Sequence, residues 1–235
     1  MSDEKMNSVL EQYEDVKIKK EPKKRKHPSE RKGYLFAKRT FDIVFSFIGL
    51  LILFPIILVL ALIVRLATPG SSFYLHERNG LNRKPFKLYK LRSMYKNADE
   101  IAKGFTAEQI KEWDAQRKVK DDPRVTPFGR FLRNTSLDEL PQLLNILKGE
   151  LSFVGPRPIP DKELNEKYSS EEDKAKLLSV KPGLTGYWQA YARSSCTYEK
   201  RIEMELYYVD HASFWWDIKI IFATFISVFK GEGTK

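Results

Sequence analysis

Hydrophobic and polar positions divide the 235 residues into four unequal stretches. Residues 1–33 are polar and charged, hold too few apolar side chains to build a core, and read as a disordered basic tail. Residues 43–64 carry no charge. As a straight helix this stretch runs about 33 Å, enough to cross a bilayer. It starts too far from Met1, is too long and lacks the small-residue cleavage site for a signal peptide. We therefore bound a membrane segment at 34–66. Pro55 sits in its middle, where it breaks or kinks a helix. Basic residues flank both ends: Lys38 and Arg39 before, Arg65 after. The positive-inside tendency puts both ends in the cytoplasm. A kinked span and a re-entrant helix–break–helix both fit, and only the second also brings Asp42 and Arg65 to one headgroup layer.

Residues 67–212 read as a soluble region. Residues 86–92 alternate apolar and basic side chains, as a half-exposed strand does, and turn signals lie at 78–80 and 82–85. Such a strand offers Lys87 and Arg92, or their neighbours, as cations on one surface. Residues 95–120 read as a polar helix, a lid or an excursion. Helices are expected at 128–132, 137–147, 161–180 and 199–209, with a rigid turn at 155–158 and a glycine-containing loop at 182–189. The stretch 213–235 opens on Trp215 and Trp216, carries Asp217 and Lys219 and then turns apolar. It fits a helix lying in the membrane interface, and equally a buried terminal helix. The fold class is α+β, mostly α, with a small β element.

Charge narrows the partners. The chain holds 41 Lys and Arg against 31 Asp and Glu, a formal charge of +10. That balance suits nucleic acid, an anionic membrane surface or a phosphorylated substrate. The basic run at 17–26 has no interleaved aromatics and no nucleic-acid fold follows it, so nucleic acid is not expected. Ahead of a membrane segment the run instead meets anionic headgroups, each cation worth roughly 1 kcal/mol. Cys196 is the only cysteine, which rules out an internal disulfide.

The candidate chemistry lies at 136–142, where Asp138 and Glu139 stand in an apolar run between Arg130 and Arg133 on one side and Arg157 on the other. One reading is a helix start, with Ser136 as cap and both acids favouring the positive end of the dipole. The other is a site for anions and a divalent metal. Beside a membrane segment, an anionic lipid-bound substrate such as a polyprenyl phosphate accounts for both the carboxylates and the arginines. Phosphoryl transfer needs positioning and charge neutralisation. A carboxylate can serve as nucleophile, and a second can help hold Mg²⁺. Adjacent helical residues point about 100° apart, so the two acids take different roles.

Six ordered blocks then carry a resemblance: KRTFD at 38–42, FKLYKLRSM at 86–94, TPFGRFLR at 126–133, LDELPQ at 137–142, GPRP at 155–158 and KPGLTG at 181–186. Across 38–231 the chain resembles the bacterial sugar transferases, the small monotopic phosphoglycosyl transferases. The resemblance implies transfer of a sugar 1-phosphate from a UDP-sugar to undecaprenyl phosphate, with release of UMP and with Mg²⁺ as cofactor. It implies Asp138 as the nucleophile that forms a covalent phosphosugar intermediate, and Glu139 as its partner near the metal. Arg133 and Arg157 fall on the phosphate-binding surface, and Lys87, Lys90, Arg92 and Gln142 join them as candidate substrate contacts. It further implies a membrane helix broken at Pro55 with both ends cytoplasmic, on the bacterial cell membrane. Family members often have serine before that proline, and here Phe54 stands there. Anionic lipids and a second copy of the chain complete the expected partners. A non-catalytic membrane anchor for polysaccharide assembly is the alternative function.

Overall fold

The computed structural model describes residues 26–192 and 196–229, so the tail at 1–25 and the end at 230–235 lie outside the described residues. The described residues begin ahead of the expected boundary at residue 33. Pro28–Glu30 form a 3₁₀ turn, and His27 Nε2 meets Ser179 Oγ at 2.9 Å.

Helix α1 (Lys32–Ala67) is one 36-residue element. Helical structure continues through Pro55, which differs from the expected helix–break–helix. Proline supplies no N–H to the turn before it, yet the flanking turns keep their own bonds and one face is held by the body. Among the described residues α1 is the one helix long and apolar enough to cross a membrane.

A stripe with helical spacing fixes α1 along the body. Tyr34 and Lys38 reach Asp217 at 2.9 and 2.7 Å. Asp42 accepts from the Phe153 amide and Ser152 Oγ at 3.0 and 3.1 Å. Leu50 and Leu53 pack on Phe86, Leu88 and Leu143, and Leu60, Ala61 and Val64 pack on Leu91 and Leu132. The opposite face leaves Phe47, Leu51, Ile52, Phe54, Val59, Leu62 and Leu66 exposed.

Strands β1 (Phe73–Asn79) and β2 (Pro85–Leu91) form an antiparallel hairpin with Tyr74 opposite Lys90, His76 opposite Leu88 and Arg78 opposite Phe86. Residues 95–120 hold two short helices, α2 (Ala98–Ala102) and α3 (Ala107–Gln116), in place of one. Helix α4 (Pro127–Asn134) starts at Thr126, whose hydroxyl accepts from the Gly129 amide. A 3₁₀ turn at Leu137–Glu139 leads into α5 (Gln142–Lys148). Strand β3 (Ser152–Val154) later pairs in parallel with β4 (Gly183–Thr185). Between them, 161–180 divides into α6 (Asp161–Lys167) and α7 (Glu171–Leu177), because Ser170 caps a second start. Short α8 (Tyr187–Tyr191) precedes α9 (Tyr198–His211) and α10 (Phe214–Phe229).

The terminal helix is buried along one side and exposed along the other. Asp217 and Ile220 of α10 are buried, whereas Trp215, Phe222, Phe225 and Ile226 are exposed. The architecture is mostly helical with two small sheets, as the sequence pattern predicts.

Candidate functional site

The site forms where β2, the 3₁₀ turn and the loop after β3 converge. Phe86 and Leu88 of β2 are buried against α5 and α1. Alternation along the strand carries Lys90 on the same face. From there Lys90 Nζ reaches Glu139 Oε1 at 2.5 Å.

The acids do not sit at a capped helix start. Ser136 adopts a left-handed conformation (φ 57°) and caps nothing with its side chain, and the α-helix begins only at Gln142. The turn tucks Asp138 inward, to 7% exposure, and leaves Glu139 half-buried. One turn of chain thus gives two neighbouring carboxylates two environments.

Their electrostatics diverge accordingly. Burial pushes the Asp138 carboxyl up to about 6, with Lys90 and Arg133 pulling it down and Glu139 adding to the rise. Burial also works against the Glu139 charge. There the positive charges of Lys90 and Arg157, with hydrogen bonds from Lys90 and Gln142, outweigh it and hold the group below its ordinary value. Pairs of acids with environments that separate their proton affinities mark sites of chemistry.

Arg133 lies on the Asp138 side. Its Nε donates to Ser93 Oγ at 2.9 Å. This contact requires α4 to lie against the chain at Ser93, and Gly129 permits it: a Cβ there would stand 1.9 Å from the Ser93 carbonyl oxygen. Behind Arg133, Arg124 grips Asp122 through three side-chain bonds of 2.9, 3.1 and 2.7 Å and stacks over Phe105 and Trp113 of the 95–120 excursion. The same excursion reaches α6 through an ion pair of Arg117 with Glu166 and a bond from Lys167 Nζ to the Asp114 carbonyl.

Arg157 lies on the Glu139 side, beyond the β3–β4 crossing. A Cβ on Gly183 would stand 2.1 Å from the Gly155 amide nitrogen, so glycine lets these strands cross closely and aim the loop. Arg157, Lys90, Glu139, Gln142, Arg78 and Gln189 border one cleft. Among the described residues no side chain hydrogen-bonds the Arg157 guanidinium, whose donors are open to an anion. Buried carboxylates stand behind it: Arg201 bonds Glu205 and Glu163 at 3.0 and 3.4 Å, and Arg157 lies within the field of both acids.

The structure brings together Asp138, Glu139, Lys90, Arg133, Arg157 and Gln142. It does not bring Lys87 or Arg92. Lys87 is exposed on the other face of β2, opposite Glu77. Arg92 ties the end of α1 to the hairpin instead, donating to Thr68 O, Thr68 Oγ1 and Pro69 O at 2.8 Å each. Arg78 and His76 of β1 were not singled out from the sequence, although their spacing of two places them on one strand face.

Among the described residues no group of three or more His, Cys, Asp or Glu stands ready to cage a cation. Two adjacent carboxylates suit Mg²⁺ in its commoner mode, in which phosphate and water complete the octahedron. The donor set therefore fits that ion together with a phosphorylated substrate.

Comparison with known proteins gives the family. Residues 33–231 match the family model described as bacterial sugar transferase. The chain is 44% identical over 201 residues to an undecaprenyl-phosphate galactose phosphotransferase of Salmonella typhimurium, covering 84% of this chain and 41% of that protein. It is 41% identical over 201 residues to the exopolysaccharide production protein ExoY of Rhizobium meliloti, covering 84% and 88%. It is 40% identical over 202 residues to the UDP-glucose:undecaprenyl-phosphate glucose-1-phosphate transferase of Escherichia coli, covering 83% and 40%. The chain thus spans about two fifths of the Salmonella and Escherichia proteins and most of ExoY.

Proposed function

The chain belongs to the bacterial sugar transferase family, and from that premise we propose that it moves a sugar 1-phosphate from a UDP-sugar to undecaprenyl phosphate, releasing UMP. One observation carries the reading: a buried carboxylate, Asp138, lies within the field of Lys90 and Arg133 and beside Glu139, which pairs with Lys90 and lies within the field of Arg157. In the first step an Asp138 oxygen attacks the phosphorus that bears the sugar. The bond from that phosphorus to the UMP oxygen breaks, and UMP leaves with the electron pair. An acyl phosphate now joins Asp138 to the phosphosugar. In the second step a phosphate oxygen of undecaprenyl phosphate attacks the same phosphorus, and Asp138 leaves as carboxylate.

The chain's own groups supply the charge balance. Arg133 faces the Asp138 side of the phosphoryl group, and Arg157 and Lys90 face the Glu139 side. Glu139 keeps Lys90 in place and stays ionised where Asp138 is neutral at mild acidity. Mg²⁺, held by Asp138 and Glu139 together with the donor's phosphates, would neutralise the charge that builds on the phosphoryl oxygens. The product is the lipid-linked first sugar of an exopolysaccharide, capsule or related glycoconjugate.

We place α1 in the cytoplasmic leaflet of the cell membrane without a full crossing. Its docking on the body from Tyr34 to Val64 supports this, and so do the exposed apolar faces of α1 and α10. The anchor-only alternative leaves the buried acid and the flanking cations without a role.

The test is UMP release by purified protein given undecaprenyl phosphate and a panel of UDP-sugars, with mass analysis of the Asp138 peptide after donor alone. UMP from at least one donor and a phosphosugar adduct on Asp138 are expected. Wild-type turnover by Asp138→Asn would overturn the mechanism, and no UMP from any donor would favour the anchor. For topology, labels at residues 5 and 120 should both react from the cytoplasmic side. Labelling from opposite sides would restore a plain span.

A further inference from the structure

Strand β1 carries Tyr74, His76 and Arg78 at alternate positions, on the hairpin face that also holds Lys90 and Leu88. Lys90 is the residue that touches Glu139, and Lys90, Leu88 and Arg78 of this face line the reaction cleft, with Tyr74 and His76 beside them on the same face. Arg78 is committed to structure: its Nη1 donates to the Pro158 carbonyl at 3.2 Å and its Nη2 lies 3.0 Å from His76 Nδ1. Arginine has no acceptor, so His76 Nδ1 must receive that bond. The ring proton of a neutral His76 is thereby fixed on Nε2. Among the described residues Nε2 has no partner. Burial, with Arg78 and Lys90 near, holds the ring's pKa down at about 4, so the imidazole is neutral in ordinary buffers. Tyr74 stands beside it, edge-on, with ring centroids 5.6 Å apart, and is exposed.

Past Lys90 and Arg78, this face offers one uncharged N–H donor and one exposed aromatic ring, unlike the cationic groups that face phosphate. Neutral donors beside an aromatic face suit a hydroxylated ring. The register places Tyr74 directly opposite Lys90, about 5 Å across the hairpin by strand geometry. The sugar joined to the reacting phosphorus lies nearest to that point, and the uridine is a phosphate and a ribose further away. We propose that Tyr74 and His76 form the hexose subsite of the donor, with His76 Nε2–H donating to a sugar hydroxyl and Tyr74 packing on the ring. This rests on the transferase reading above.

The test compares wild type, His76→Leu and Tyr74→Leu for UMP release from UDP-galactose and UDP-glucose, which differ in one hydroxyl configuration. UMP product inhibition and melting temperature are measured on the same samples. A lost neutral hydrogen bond should cut kcat/KM for the better donor about threefold to tenfold. The preference between the two donors should shrink in at least one variant, with the inhibition constant for UMP unchanged. Tyr74 is exposed, so Tyr74→Leu should fold and keeps the test decisive if His76→Leu does not. A weakened UMP inhibition with donor preference intact would overturn the proposal and assign the wall to the nucleotide. Unchanged preference and unchanged inhibition in both variants would overturn it as well. No UMP from any donor with wild type would instead remove the transferase reading itself.

Discussion

Replacing Asp138 by asparagine should stabilise the fold while abolishing turnover, and the stabilisation should depend on pH. Burial holds the Asp138 carboxyl at about 6 against an ordinary 3.8. The folded state therefore binds this proton more tightly than the unfolded chain. Between pH 3.8 and 6 the native protein carries more protons, so its stability falls as pH rises through that window and then levels off. A separation of about two pH units, at 1.36 kcal/mol each, makes the ionised carboxylate cost about 3 kcal/mol at pH 7. Asparagine keeps the shape and never ionises. Glu139 titrates in both proteins and largely cancels from the difference. For a chain of this size 1 kcal/mol moves Tm by roughly 2–4 °C. Asp138→Asn should therefore melt up to about 10 °C above wild type at pH 7 in EDTA, followed by tryptophan fluorescence in detergent. The two should converge near pH 4, and excess Mg²⁺ should narrow the gap at pH 7 by opposing the buried charge. A variant no more stable than wild type at pH 7, or a gap that ignores pH, would refute the claim that this carboxylate is held against its own desolvation.

Lys90→Met should shift the acid limb of UMP release to higher pH, because Lys90 is the largest counter-charge pulling Asp138 down, and a pH–rate profile reads this directly. The same change strips Glu139 of its 2.5 Å partner and should lower stability by about 2 kcal/mol in a melting series. Gly129→Ala should cost about 1–3 kcal/mol, since its Cβ would fall on the Ser93 carbonyl, and UMP release should drop with it because Arg133 leans on Ser93. Arg92→Ala should destabilise by about 2 kcal/mol through its lost carbonyl contacts, while Lys87→Ala should change neither Tm nor UMP release beyond roughly 0.5 kcal/mol, which a side-by-side melt and assay decide.

Much of this arrangement is legible in the residues. The uncharged run at 43–64, the alternation at 86–92 and the acids at 138–139 each announce an element whose physical period or chemistry is local. What escapes depends on backbone choices that side-chain pattern does not report. Serine before two acids matches a helix cap, yet Ser136 takes the left-handed conformation and the acids enter a 3₁₀ turn. Parity in β2 explains the cations. Phe86 and Leu88 are buried, so Lys90 shares their face and Lys87 must take the other, a consequence of a period of two once the buried face is known. Arg92 has the parity of Lys90 but lies just past the strand, where free carbonyls at the end of α1 claim its guanidinium. Arg78 and His76 stayed hidden because only the hairpin register shows which strand of the pair faces the acids.

The long helix and the site are one construction. The Asp42 contact with β3 and the Val64 contact with Leu132 lie 22 residues apart along α1, about 33 Å if straight, the thickness of a bilayer core. A helix crossing that core would carry one of these contacts to the far surface, and the body would have to follow with its polar groups. In the one-leaflet placement proposed above, α1 keeps its packed stripe on the body and turns its exposed face to lipid. The same packing supports the chemistry. Leu50 and Leu53 press on Phe86 and Leu88, which fix the face from which Lys90 reaches Glu139. Leu60 and Val64 press on Leu132, one residue before Arg133. The apolar helix thus sets the positions of cations on both sides of Asp138, which on the proposed function are the groups a lipid-borne phosphate would meet.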